Sequence, residues 1–60
     1  MPWDADYYPR SMIHLPAAVR MKAIEIANAL LAAGYDEGRA IRIGIAKARE
    51  WALRHGVRLD

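Results

Sequence analysis

The chain has 60 residues, nine Lys/Arg against seven Asp/Glu, and a formal charge of +2 at neutral pH. A single domain of this length buries only about 60% of the surface its unfolded form exposes, so modest stability is expected. Cysteine is absent, which excludes disulfides and thiol chemistry and fits a reducing cytoplasm.

The first segment, "MPWDADYYPRSM", holds Trp3, Tyr7 and Tyr8, three of the five aromatic residues, without helical or strand periodicity. Pro9 can open a single helical turn through "PRSMI". Met1 is followed by Pro, Trp and Asp rather than by a basic and then an apolar stretch, and no run is long and apolar enough to span a bilayer. A cytoplasmic protein without a membrane partner is therefore expected.

From Pro16 to Ala33 the sequence reads "PAAVRMKAIEIANALLAA", dominated by strong helix formers. Val19, Ala23, Ile26, Ala27 and Leu30 share one face, with Ile24 and Leu31 widening it, and Lys22, Glu25 and Asn28 are expected to point away. Proline suits the first helical position, because its missing N–H has no intrahelical partner there. Gly34 can end the helix in a left-handed conformation, with Tyr35 folding back toward Leu30. Asp36 then caps a second helix, and Glu37 places negative charge at its positive end.

The second helix, 37 to about 55, reads "EGRAIRIGIAKAREWALRH" and closes at Gly56. Ala40, Gly44 and Ala48 recur every four residues as a flat strip, matched by Ala23 and Ala27 on the first helix. Small residues on both sides allow close approach, and the short connection makes the pair antiparallel. The expected fold is all-α: a two-helix hairpin, about 16–33 and 37–55, forming one domain with the aromatic N-terminal segment. Ile41, Ile45, Ala48, Trp51 and Ala52 line one face of the second helix, but Ile43, Ala46 and Leu53 form a further apolar stripe nearly opposite. One partner helix cannot cover both. The N-terminal segment is thus expected to act as a strap across the hairpin, with Trp3, Tyr7 and Tyr8 over the helices and Met12, Ile13 and Leu15 in the core.

The opening "MPW", the later "YP" and "SM", then "KAIEIANALL", "GYDEGRAI" and "WA" occur in this order across Met1 to Ala52. This pattern resembles the N-terminal module of the YdaT-type proteins of bacilli, a short uncharacterised family in which a further domain can follow. The resemblance implies a portable folding unit and carries over no catalytic or binding residue. A fainter similarity to the ChaB family lies in "LP" before a helix and in the late Ala/Trp-containing helix.

Chemistry has few footholds. Threonine is absent, Ser11 is the only serine, and no sequence feature places a base beside it. His14 and His55 lie 41 positions apart, and neither sits in a metal-ligand spacing. Asp4 and Asp6 alternate in the strap and read as solvated carboxylates. No enzyme activity, metal or cofactor is expected. Arg39, Arg42, Lys47, Arg49, Arg54 and Arg58 give the second helix a basic bias, which raises nucleic-acid association as an alternative. Asp36, Glu37 and Glu50 offset part of that charge, the helices are long for a helix–turn–helix motif, and the basic residues spread around the helix instead of lining one edge. The favoured expectation is a protein-interaction module of unknown pathway. Its candidate surface is Ile43 and Leu53 rimmed by Arg42, Arg49 and Arg54, suited to an acidic partner protein or to self-association.

Overall fold

The structure is a computed structural model that describes residues 2–57. A 3-10 turn (Arg10–Met12) leads into helix α1 (Ala17–Ala32), which packs against helix α2 (Glu37–Arg54). No strand occurs among the described residues, and the molecule measures 30 × 22 × 15 Å.

The helix ends follow from individual residues. Pro16 sits one position earlier than expected, as the extended N-cap of α1 at φ −54 and ψ 148. Gly34 adopts φ 103; the N–H of Gly34 donates to the Leu31 carbonyl and that of Tyr35 to the Leu30 carbonyl, each at 3.1 Å. These are the two bonds of a Schellman closure, and they occupy carbonyls that the helix itself leaves free. Asp36 caps α2, its Oδ1 accepting the Arg39 N–H at 2.9 Å. Gly56, at φ 69, closes α2 in the same way, with the Val57 N–H donating to the Ala52 carbonyl at 2.9 Å.

The two small-residue strips meet. Val19, Ala23 and Ala27 of α1 and Ala40, Ala48 and Ala52 of α2 are fully buried. Gly44 lies at a close approach: a Cβ built there would be 3.0 Å from the Ala23 carbonyl oxygen and 3.1 Å from the Ala27 Cβ.

The strap closes one side of this hairpin. Trp3, Met12 and Leu15 join the core, and Tyr8 packs at its edge. Asp4 and Tyr7 are bridged by paired backbone bonds, and the Asp4 carboxylate also accepts the N–H groups of Asp6 and Tyr7. The segment therefore turns back on itself instead of running straight. Arg20 fixes its far end, donating to the carbonyls of Ile13 and Leu15 while its guanidinium lies 4.9 Å from the Tyr8 ring centroid.

Three expectations fail here. Asn28 does not point away: it is buried and holds the main chain of Trp3 through two hydrogen bonds. Tyr7 is 69% exposed, because the tight Asp4–Tyr7 turn projects its ring outward, and it adds little to burial. Ile13 is 52% exposed at the end of the 3-10 turn, where its neighbours Met12 and Leu15 take the inward positions. The strap also docks on the Ile24–Asn28 flank of α1 and leaves Leu53 of α2 uncovered.

Candidate functional site

Among the described residues, the strap leaves two surfaces of the hairpin uncovered. The first is the outward face of α2. Arg42, Ala46, Arg49 and Leu53 recur at alternating four- and three-residue steps, which stacks them in one stripe along the helix. All four are exposed, Leu53 at 70%. Arg54 is exposed beside the stripe, and its guanidinium lies 3.9 Å from the Glu50 carboxylate. Ile43 is half-buried; ten residues separate it from Leu53, so the two side chains leave the helix about 80° apart. Arg58 lies outside the described residues.

The second surface is a groove of about 510 Å³ between the helices. Ile26, Ala29, Leu30 and Trp51 form its apolar lining, and Lys22, Glu25, Lys47, Glu50 and Arg54 supply charges of both signs. Ile26 precedes Asn28 by two residues, about 160° around the helix, so the groove lies on the side of α1 away from the strap. Lys22 bridges the two helices: its Nζ bonds the Glu25 carboxylate at 2.8 Å and lies 5.1 Å from the Trp51 ring centroid. The His55 ring lies tilted beside Trp51, with ring centroids 5.3 Å apart and planes 37° apart. Between these two contacts the indole is half-exposed at the groove.

The sequence did not point to this groove. Its apolar residues read as core, since Ile26 and Leu30 share a face with Ala23 and Ala27; the hairpin is too thin to bury the whole width of that face. Nor did it point to Asn28, whose partner is a backbone 25 positions away. The remaining polar candidates are engaged locally or open to solvent. Asp4 shapes its own turn, while His14 and Ser11 are exposed. Among the described residues no three metal-ligating side chains gather, and no helix is long and apolar enough to cross a membrane.

No family model and no solved structure matches the chain. The ChaB similarity receives no support from these comparisons. A relative is found in the uncharacterized protein YdaT of Bacillus subtilis (strain 168), 56% identical over 52 residues. The match covers 87% of this chain and 35% of YdaT, so the chain spans about a third of the length of the curated relative it matches. Over nearly its whole length the chain is similar to one portion of YdaT.

Proposed function

We propose that the protein is a cytoplasmic, non-enzymatic helical module that docks an acidic partner protein on the outward face of α2. The observation that carries this reading is the stripe in which exposed Ala46 and Leu53 alternate with exposed Arg42 and Arg49. An amphipathic partner segment with carboxylates beside its apolar residues complements both chemistries, Leu53 supplying the apolar anchor and the arginines the polar rim. The match to a portion of the longer YdaT supports a folding module that can form part of a larger chain. The absence of cysteine is in keeping with the compartment.

The competing reading gives the same arginines to nucleic-acid phosphates. The two differ in their dependence on salt and on Leu53, since phosphate binding weakens steeply as salt rises and needs no apolar anchor. Purified protein is titrated with labelled duplex DNA and RNA at increasing salt, and the wild type and Leu53→Asp are compared in affinity capture from host lysate. Docking predicts captured proteins that are lost with Leu53→Asp and no salt-sensitive nucleic-acid complex. Salt-sensitive binding of DNA or RNA that persists in Leu53→Asp would overturn the proposal.

A further inference from the structure

We infer that the groove on the side opposite the strap is a homodimer interface, in which a second copy of the chain completes an antiparallel four-helix bundle. A helical layer is stable when its apolar face is covered, and here the strap covers only one side of a two-helix layer. Ile26, Leu30 and Trp51 on the other side remain half-buried. Small domains without disulfides commonly gain stability by oligomerising.

The charges around the groove select the occupant. Lys22 and Trp51 stand at the same height on the hairpin, since the ammonium lies 5.1 Å from the indole centroid. One turn further toward the interhelical loop, Glu25 of α1 stands level with Lys47 of α2. A two-fold axis running along the helices, within the groove plane, sets α1 of one copy over α2 of the other, antiparallel and at equal height. Glu25 of each copy then faces Lys47 of the other, and Lys22 faces Glu50. Each opposition occurs twice, and every one joins opposite charges.

A polyanion or a strongly acidic segment would instead meet Glu25 and Glu50, so this rim fits the chain's own surface better than either. The groove residues span only about 12 Å of α1 and about 10 Å of α2, so the contact is small beside a standard specific interface. The dimer is therefore weak and concentration-dependent. Leu53 is not among the residues that line the groove, so the dimer leaves it free.

The test is sedimentation equilibrium of the full chain over a hundredfold concentration range, with circular dichroism confirming that each variant remains helical. Wild type should pass from monomer to dimer. Ala29→Glu, at an exposed groove position, should weaken the dimer about tenfold or more, as should Glu25→Lys and Lys47→Glu singly. The double variant Glu25→Lys/Lys47→Glu, which restores opposite charges across the two-fold, should recover the dimer. Leu53→Asp should leave it unchanged. A wild type that stays monomeric overturns the inference, as does a dimer that survives Ala29→Glu, one that Leu53→Asp abolishes, or a double variant that fails to recover.

Discussion

The side-chain amide of Asn28 closes two hydrogen bonds with the main chain of Trp3, donating to its carbonyl at 2.9 Å and accepting its N–H at 3.3 Å. One polar side chain thereby satisfies both backbone groups of a residue that is itself 7% exposed. Extended chain laid against a helix has no ladder to complete, so without Asn28 those groups would be buried unpaired.

Asn28→Ala should therefore destabilise the fold by about 2–3 kcal/mol, the cost of leaving a buried donor and acceptor unmet. In a domain of this size that lowers Tm by roughly 10 °C or more, readable by thermal circular dichroism. A variant that melts like wild type would mean that water replaces the amide at no cost.

Removing residues 1–12 takes away Trp3 and Met12, both part of the core. Truncating one buried tryptophan costs about 3–5 kcal/mol. That is comparable to the whole stability of a small single-core domain. The truncated chain should be largely unfolded at room temperature, with a broad, low-temperature melt. A cooperative melt at the full-length temperature would remove the strap from the fold.

Gly44 and Gly38 should respond in opposite directions although both lie in α2. At Gly44 a Cβ meets the Ala23 carbonyl oxygen at 3.0 Å, and backbone cannot swing aside. Gly44→Leu should lose more than about 1 kcal/mol through overpacking, despite better helix propensity. At Gly38 the nearest atoms are the ends of the Arg42 and Asp36 side chains at 3.5 Å, an ordinary contact. Gly38→Ala should gain up to about 1 kcal/mol in urea denaturation.

Asp36→Ala removes the acceptor for the Arg39 N–H and should cost about 1 kcal/mol, a fall in Tm of roughly 4–8 °C. Asp36→Asn, which keeps an acceptor oxygen, should recover most of it, because the hydrogen bond and not the charge is the main contribution.

Leu53→Ser should leave stability within about 0.5 kcal/mol of wild type, since a side chain 70% exposed loses little burial. A loss above 1 kcal/mol in denaturant titration would show that Leu53 packs within the monomer in solution.

What the sequence determined by itself is the punctuation and the seam of the hairpin. Gly34, Asp36 and Gly56 act through their own backbone preference or their own nearest N–H groups, so their effect can be read within a few residues. Gly44 was legible for a related reason: a small residue recurring every four positions with alanines has meaning on any helix that packs. The tertiary structure alone decided which side of the hairpin the strap covers. Trp3 finds Asn28 across 25 positions through main-chain groups, which every residue carries and no sequence pattern marks. That single choice buries the Ile24 flank and leaves the Ile26–Trp51 groove and Leu53 open. Periodicity shows that α2 has apolar residues on two faces, but a strap can lie on only one side of two helices, and the contact that fixes that side is long-range.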